Sequence, residues 1–307
     1  MNLKRTAAVV NPRSATGKTG KLWPKIAASL PALDVRFTQF PGHATKLTRE
    51  CLGEGYERII AVGGDGTINE VVNGFFVDGR PIRPNAVLAI LPLGTGSDFQ
   101  KSLGIATMED AIQLVNQEKP GPIDIGMVEY QAPDGSRARR HFANVVSFGM
   151  GGEVAARAKN FLSKISGKAA FVLATAQVFL TYQAKSIELT IDGQAHGPFT
   201  ITNIGVGNGR YHGGGMHVCP RAVLDDGLLE VTVIDALSSY ELVRDLKVLY
   251  SENLYVHPKT QHLRGSRITA RSAQPVTIEV DGESLGGLPL DFSILTRALR
   301  VARRVGK

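Results

Sequence analysis

The sequence has few cysteines and no long apolar run, and both absences narrow the class of protein. Its 307 residues include two cysteines, Cys51 and Cys219, which lie far apart and have no His or Cys nearby at metal-ligand spacing. We therefore expect neither a disulfide framework nor a zinc site. No run approaches the roughly 18 apolar residues of a membrane-spanning helix, and the N-terminus has no cleavable signal pattern. These features favour a cytoplasmic protein.

The chain is basic, and this excess charge favours an anionic partner. Lys and Arg number 35 against 28 Asp and Glu, so the formal net charge is +7. Much of the excess lies at residues 137–140 and 297–304, for which a solvated face is the simplest interpretation. Neither cluster has the interleaved aromatic residues of single-strand binding surfaces, and no groove-reading motif appears. We therefore expect a nucleotide or a phospholipid surface as partner, and no nucleic acid.

The first candidate site is a glycine-rich turn after a buried strand. Residues 59–62 are apolar without alternation, which predicts a strand of a parallel sheet. Three of residues 63–66 are glycines, so bare backbone N–H groups can approach a ligand closely. A helix is predicted from Ile68, and its N-terminal amides favour a phosphate. Asp65 would repel that phosphate unless a cation or a proton lies between them. The plainer alternative is a tight strand-to-helix turn with a helix cap.

A second turn of the same kind follows a second apolar strand. Residues 86–91 predict this strand, and residues 92–99 contain the turn. Together with predicted strands at 6–12 and 35–40, this alternation of strands and helices predicts a doubly wound α/β domain, in which such turns share one crevice. The two turns together therefore favour a phosphate site. The polar segment after Asn11 is not a P-loop, because Pro12 stands where a Walker motif needs glycine.

The second half of the chain predicts a β-rich domain, with one sheet packed on another. The predicted strands are residues 186–192, 199–206, 227–235 and 275–280. Residues 154–182 predict helix, and their segment 167–180 has hardly any charge. This segment is either a buried helix or one that presents an apolar face to lipid, since it is too short to span a membrane.

The two glycine turns resemble those of a known family. Gly-Gly-Asp-Gly-Thr at 63–67 and Pro-Leu-Gly-Thr-Gly-Ser-Asp-Phe at 92–99 are similar to the diacylglycerol kinase catalytic domain shared by soluble bacterial lipid kinases, ceramide kinases and sphingosine kinases. Further segments follow the order of that family, namely residues 144–152, 207–211, 213–216, 226–229 and 281–283. The position before Asp98 is usually Asn in this family and is Ser97 here, which offers one donor where an amide offers two.

The resemblance implies roles for particular residues. Asp281, in the Asp-Gly-Glu segment, corresponds to the general base, although Asp-Gly is also a common hairpin turn. Asp65 corresponds to a carboxylate that acts on the phosphates through metal and water. The nucleotide-side residues implied are Asn11, Thr38, Gly63, Gly64, Asp65, Gly66, Thr67, Asn69, Glu70, Gly94, Thr95, Asp98 and Glu283, of which Glu283 is nucleotide-side or structural. A structural magnesium loop is implied at Val223, Asp226 and Leu228, where the alternative is an Asp-Gly turn between strands.

We therefore expect an ATP- and Mg2+-dependent lipid kinase that phosphorylates a hydroxyl of a membrane lipid such as diacylglycerol or phosphatidylglycerol. Residues 1–125 would form the ATP-binding α/β domain and residues 126–294 a β-sandwich-like domain with the lipid site, with a cleft between them. The resemblance also implies that residues from about 295 to 307 pack back on the first domain. The protein would lie at an anionic membrane surface. The sequence leaves open whether it forms a homodimer. The alternatives are an NAD kinase or phosphofructokinase-like enzyme with a soluble acceptor, and a non-catalytic nucleotide or lipid sensor.

Overall fold

A computed structural model of the chain describes residues 5–94, 96, 98–116, 120–161, 167–245 and 247–304. The chain divides into two compact units, which we call the N-terminal unit (Met1–Ile125 with Thr296–Lys307) and the C-terminal unit (Gly126–Leu295). Thr95 and Ser97, both singled out by the sequence, lie outside the described residues.

The N-terminal unit is built on a parallel sheet. Its strands are β1 (Thr6–Val10), β2 (Asp34–Phe37), β3 (Arg58–Gly63), the short pair β4 (Phe76–Val77) and β5 (Arg80–Pro81), and β6 (Val87–Pro92). The sheet order is β2-β1-β3-β6, and Arg300 and Val301 add a parallel strand beside β6. The chain leaves β1 toward one side for β2 and returns to the other side for β3. The topological switch point, where ligands of doubly wound folds bind, therefore lies between β1 and β3.

Helices connect these strands, as the alternation of the sequence predicts. They are a 3-10 turn at Ser14–Gly17, α1 (Lys18–Ala27), α2 (His43–Gly53), α3 (Asp65–Gly74), α4 (Asp98–Ser102) and α5 (Met108–Val115). Every residue of β1 and β3 is buried, as expected of strands covered on both faces. The predicted strands 6–12 and 35–40 end earlier, although Asn11 and Thr38 still donate their N–H groups to Val62 and Val10, both at 2.9 Å. The predicted doubly wound α/β domain is confirmed.

The C-terminal unit is mainly antiparallel. Its strands are β7 (Gly121–Gln131), which begins in the N-terminal unit, β8 (Arg137–Phe142), β9 (Val145–Gly149), β10 (Lys185–Ile191), β11 (Gln194–Gly207), β12 (Leu229–Asp235), β13 (Thr260–Gly265), β14 (Arg267–Arg271), β15 (Thr277–Val280) and β16 (Glu283–Val301), which ends in the N-terminal unit. Its helices are α6 (Met150–Phe161), α7 (Gly167–Thr181) and α8 (Ser239–Asp245), with 3-10 turns at Val248–Tyr250 and Glu252–Val256.

The strands of the C-terminal unit enclose one hydrophobic core. One path of paired strands runs β13-β12-β11-β10-β14-β16, and β9 and β15 pair with each other and with β11 and β16 respectively. Side chains of both sets of strands meet in one buried cluster. Phe292 of β16 packs between Phe142 and Phe148, with ring centroids 6.2 and 6.3 Å away. The predicted β-sandwich-like domain is thus confirmed, although the sequence predicted only four of its strands.

The apolar segment 167–180 has one buried face and one exposed apolar face, so both alternatives that the sequence offered describe part of it. Ala170, Ala174 and Val178 of α7 are fully buried, and the latter two pack against α6. On other sides of the same helix, Val172 is 66% exposed and Leu180 is 80% exposed. No helix within the described part of the chain is long and apolar enough to cross a membrane.

Candidate functional site

The two glycine turns of the N-terminal unit lie side by side with no room for a side chain between them. A Cβ atom added to Gly94 would lie 2.4 Å from the Cα of Gly64, closer than real Cβ contacts allow. The first turn follows β3 and the second follows β6, and these parallel strands are neighbours in the sheet. Glycine is therefore required here by close approach of two backbones, at the carboxyl edge of the sheet.

A side-chain hydrogen bond crosses the switch point. Asn11, which follows β1, donates from Nδ2 to Oγ1 of Thr67 in the first turn of α3 at 2.9 Å. A Cβ atom on Gly63 would lie 2.7 Å from that same Oγ1, so the glycine makes room for the threonine. α3 begins at Asp65 rather than at the predicted Ile68, because Gly64 is the extended residue before it and Gly66 already belongs to its first turn. Three of the nucleotide-side residues thus meet at one point.

Two carboxylates converge on Gly96 of the second turn. A Cβ atom there would lie 2.9 Å from Oδ2 of Asp65 and 4.0 Å from Oδ2 of Asp98. The N–H of Phe99 donates to Oδ1 of Asp65 at 3.3 Å, and Nζ of Lys101 donates to Oδ1 of Asp98 at 3.0 Å. One or two carboxylates completed by phosphate oxygens are the usual site of Mg2+ beside a nucleotide. The Oδ2 atoms of both aspartates face Gly96, whereas Lys101 pairs with Oδ1 of Asp98, so the two Oδ2 atoms would suit a magnesium ion that accompanies a nucleotide.

Glu70 has a structural task that the sequence did not reveal. Its carboxylate accepts hydrogen bonds from the N–H groups of Gly42 and Ala44 at 2.8 and 3.0 Å, and its backbone oxygen accepts one from Thr45 Oγ1 at 2.8 Å. These donors lie at the N-terminus of α2, whose first N–H groups have no partner within the helix. Glu70 thus caps α2, and a direct contact with nucleotide stays a prediction.

Two further residues of the predicted site are buried in the N-terminal unit. Asn69 is 1% exposed, and its side-chain and backbone oxygens accept hydrogen bonds from Nδ2 of Asn73 at 3.1 and 2.9 Å. Thr38 is 9% exposed and continues the pairing of β2 with β1. Asn69 is thus bonded within α3 and Thr38 extends the pairing of β2 with β1, whereas their contact with nucleotide stays a prediction.

Asp281 lies in a two-residue hairpin turn between β15 and β16. Both Asp281 and Gly282 have positive φ values, 45° and 94°, as a type I′ turn requires. The carboxylate is buried and accepts hydrogen bonds from the N–H groups of residues 143, 144 and 145 at 3.1, 3.2 and 2.9 Å. Three such donors stabilise negative charge on the carboxylate. The Asp-Gly hairpin, which the sequence offered as the plainer alternative, is therefore present, and it also holds a buried carboxyl group in a fixed position.

Glu283 and the arginines at 137–140 pair with oppositely charged partners. Oε2 of Glu283 lies 3.0 Å from Nη2 of Arg140, and Arg139 lies 2.8 Å from Glu129. Arg137 forms an ion pair with Asp291. Arg137 and Arg139 stay partly exposed, so this basic face is both solvated and ion-paired, and two of the three pairs join residues far apart in the sequence. Glu283 thus has a structural partner, and its nucleotide contact stays a prediction.

The predicted magnesium loop at Val223, Asp226 and Leu228 does not fit a metal ion as it stands. Oδ1 of Asp226 accepts the N–H of Leu228 at 3.1 Å, and Oδ2 forms an ion pair with Arg264. Both oxygens of the one carboxylate in this ligand set are engaged, one of them by a cation. Over the described ranges, no group of three or more His, Cys, Asp or Glu side chains is arranged to hold a metal. Magnesium binding by this loop, which the resemblance implied, would require the ion to displace Arg264, and no step is derived through it.

A cavity of about 320 Å³ in the N-terminal unit lies away from these groups. It is lined by Glu57, Arg83, Pro84, Asn85 and Ala86, which precede β3 and β6. It therefore opens at the amino ends of those strands, whereas the glycine turns follow their carboxyl ends. We exclude it from the candidate site for this reason.

Sequence inspection missed a fully buried carboxylate. Asp124 in β7 is 0% exposed, and its Oδ1 accepts the N–H of Arg297 at 2.6 Å. The available signal was an aspartate between two isoleucines in the segment Pro-Ile-Asp-Ile-Gly, since a charged residue inside an apolar strand is rarely buried without a partner. The same signal marks Glu279, between Ile278 and Val280, which is 2% exposed.

Comparison with known proteins connects both units to one kind of enzyme. Residues 5–128 match the diacylglycerol kinase catalytic domain, and residues 144–303 match the YegS C-terminal NAD kinase beta sandwich-like domain. The chain is 35% identical over 270 residues to a probable lipid kinase YegS-like of Pseudomonas putida, covering 88% of this chain and 84% of that one. It is 34% identical over 275 residues to the corresponding protein of Pseudomonas aeruginosa strain PAO1, with the same two coverages.

Solved structures show the same architecture. A putative diacylglycerol kinase from Bacillus anthracis superposes with a TM-score of 0.73 at 25% identity, covering 99% of this chain and 98% of that one. A yeast NADH kinase complexed with NADH superposes with a TM-score of 0.53 at 14% identity, covering 98% and 83%. The second likeness concerns the fold alone.

Proposed function

The chain belongs to the family of YegS-like lipid kinases with a diacylglycerol kinase catalytic domain, and we propose that it transfers the γ-phosphoryl group of ATP to a hydroxyl of a membrane lipid such as diacylglycerol or phosphatidylglycerol. The observation that carries this proposal is the hydrogen bond between Asn11 and Thr67 at the switch point of the sheet, beside two glycine-rich turns whose backbones approach closely. That position suits a nucleotide in a doubly wound fold.

The N-terminal unit binds the phosphates in this proposal. The bare N–H groups of the glycine turns and the N-terminus of α3 favour phosphate oxygens. Asp65 and Asp98 would hold the magnesium ion that accompanies the nucleotide, since both carboxylates face Gly96. When bound, that ion neutralises charge on the phosphates. The hydrogen bond between Asn11 and Thr67 keeps the end of β1 and the first turn of α3 at a fixed spacing.

The C-terminal unit supplies the base and the lipid acceptor in this proposal. The Asp281 carboxylate takes the proton of the lipid hydroxyl, whose oxygen forms a bond to the γ-phosphorus while the bond to the bridging oxygen breaks and ADP leaves. Hydrogen bonds from residues 143–145 hold the carboxylate in one orientation. A fixed base removes the cost of orienting it during the reaction.

We place the membrane contact at the exposed face of α7. Val172, Leu173 and Leu180 are 66%, 48% and 80% exposed, which is unusual for adjacent large apolar side chains on one helix. A lipid acceptor lies in a membrane, and an apolar helix face with basic neighbours suits contact with an anionic bilayer. Lys159 at the end of α6 is one exposed basic neighbour. The protein would therefore act peripherally at the membrane.

Phosphorylation of a total lipid extract tests the proposed function. The purified protein is incubated with the extract, Mg2+ and radiolabelled ATP, and products are separated by thin-layer chromatography. We expect one labelled lipid whose deacylated form identifies the acceptor. NAD and sugar phosphates are offered in parallel, because label in a soluble product would favour the NAD kinase or phosphofructokinase alternative. Nucleotide or lipid binding without any labelled product would favour the sensor alternative.

A further inference from the structure

A buried glutamate and a partly buried histidine lie beside the Asp281 turn. Oε2 of Glu279 lies 3.0 Å from Nε2 of His212, and their side chains are 2% and 13% exposed. Glu279 precedes Asp281 by two residues in β15, and His212 belongs to the glycine-rich segment between β11 and β12. Neither residue has a role assigned from the sequence motifs.

Glu279 holds the turn itself. Its Oε1 accepts a hydrogen bond from the N–H of Gly282, the second central residue of the hairpin. The backbone of Glu279 pairs with Ser147 of β9, and the N–H of Asp281 donates to the oxygen of Val145 at 3.0 Å. The glutamate thus fixes the residue after Asp281 from one side, while residues 143–145 fix the carboxylate from the other.

The histidine segment contacts both of these supports. Met216 and His212 exchange two backbone hydrogen bonds of 2.9 Å, which closes the three intervening glycines into a loop and presents the imidazole to Glu279. The adjacent Tyr211 accepts a hydrogen bond from Nδ2 of Asn144 at 2.6 Å, and Asn144 is one of the three donors to Asp281. One short segment therefore touches both structures that orient the Asp281 carboxylate.

We propose that His212 and Glu279 are positioning residues that hold the Asp281 turn in the orientation needed for phosphoryl transfer. This inference depends on the proposed role of Asp281 as the base. A carboxyl group as buried as that of Glu279 needs polar partners at that place. His212 supplies one such partner, so its loss lets Glu279 shift and frees the N–H of Gly282. A base displaced by about 1 Å can slow transfer by about a hundredfold.

The test compares variants of this pair with a matched pair elsewhere in the same unit. His262 of β13 lies 3.4 Å from Glu230 of β12, and both are at least as buried, but these strands are not the ones that the Asp281 turn joins. We expect H212A and E279A to lower kcat by about 10-fold to 100-fold with little change in the KM for ATP. E279Q keeps an oxygen acceptor for Gly282 and should retain most of kcat. H262A should leave kcat near that of the unmodified protein.

Two further measurements separate positioning from general destabilisation. In a D281N background, H212A should cause no further loss of the residual rate, because the group that it positions is already gone. Amide hydrogen exchange at Gly282 should quicken in H212A and E279A, and this readout does not depend on the lipid assay. A protein that phosphorylates no lipid would refute the proposed function, whereas unchanged exchange and unchanged kcat in H212A would refute the positioning role. Equal losses in H212A and H262A, each with lowered thermal stability, would also refute it.

Discussion

Asp281 and Asp192 occupy the same position in two Asp-Gly hairpin turns of the C-terminal unit, with φ values of 45° and 47°. Each carboxylate accepts hydrogen bonds from backbone N–H groups of a neighbouring segment, which for Asp192 are those of Ser266 and Arg267. The turns differ in burial, because Asp192 is exposed and Asp281 is 8% exposed. The Asp-Gly motif alone does not distinguish a surface turn from a turn that holds a candidate base. The burial of the aspartate side chain does distinguish them.

Replacing Asp281 with Asn should abolish most phosphoryl transfer. The amide keeps the size of the side chain but cannot take the proton of the acceptor hydroxyl, and loss of a general base costs about 10²-fold to 10⁴-fold in rate. ATP binding, followed by calorimetry, should change little, because the nucleotide site is assigned to the other unit. D192N is the matched control and should keep normal turnover. Near-normal turnover by D281N would remove the proposed base.

Replacing Gly94 with Ala should separate the two glycine turns. The new Cβ atom would overlap the backbone of Gly64, and neither atom lies on a flexible side chain that could move away. We expect ATP affinity to fall more than about tenfold, with a stability loss of about 1–3 kcal/mol from overpacking. G53A is the control, because nothing lies within 4 Å of a Cβ atom there and its φ is ordinary. Equal ATP affinity in the two variants would contradict the phosphate-binding role of the turns.

Local pattern was sufficient for the strands that position the candidate nucleotide site. β3 and β6 are apolar runs that end at Gly and Pro, so burial and boundaries follow from neighbouring residues. β8 was missed because its sequence, Arg-Ala-Arg-Arg-His-Phe, is mostly basic. Its arginines are accommodated by Glu129 on β7 and Asp291 on β16, and the second partner is 154 residues away. Such pairing cannot be found from a local window.

The same limit applies to side-chain roles within the site. Both Glu70 and Asp226 were assigned by resemblance to ligand binding, and both carboxylates accept contacts that depend on the tertiary fold. Glu70 caps α2 by accepting hydrogen bonds from Gly42 and Ala44, which lie 28 and 26 positions earlier. Asp226 pairs with Arg264, 38 positions later. A sequence motif identifies the chemical group, whereas its partners are set by the segments that the fold brings to it.

The Asp226 loop should be insensitive to magnesium in the absence of nucleotide. Arg264 already supplies positive charge to its carboxylate, so thermal unfolding in EDTA and in excess Mg2+ should give the same midpoint. R264A should lower the stability by about 1 kcal/mol or less, because the ion pair is partly exposed. A midpoint that rises with Mg2+ in the unmodified protein, and no longer rises in D226N, would instead establish the loop as a metal site.

A charge on the exposed face of α7 should weaken membrane binding. V172E places a carboxylate where the proposal buries a valine in an anionic bilayer, and burial of such a side chain is worth about 1.5–3 kcal/mol. Binding to phosphatidylglycerol vesicles, measured by sedimentation, should fall about tenfold or more. V256E is the matched control, because Val256 is 75% exposed outside α7. Equal binding of the two variants would exclude α7 as the contact.

The Asp192 turn should stabilise the protein in a pH-dependent way. Backbone hydrogen bonds, first from Arg267 and then from Ser266, hold the pKa of the Asp192 carboxyl below its ordinary value of 3.8. A carboxyl with a lowered folded-state pKa contributes stability that is present above its unfolded pKa and is lost as the pH falls through the folded pKa. D192N should therefore be less stable than the unmodified protein at pH 7, and the difference should narrow as the pH falls below about 4. Urea unfolding of both proteins across this range measures the difference. A gap that stays constant down to pH 3 would mean that D192N acts through the shape of the turn rather than through the charge of the carboxylate.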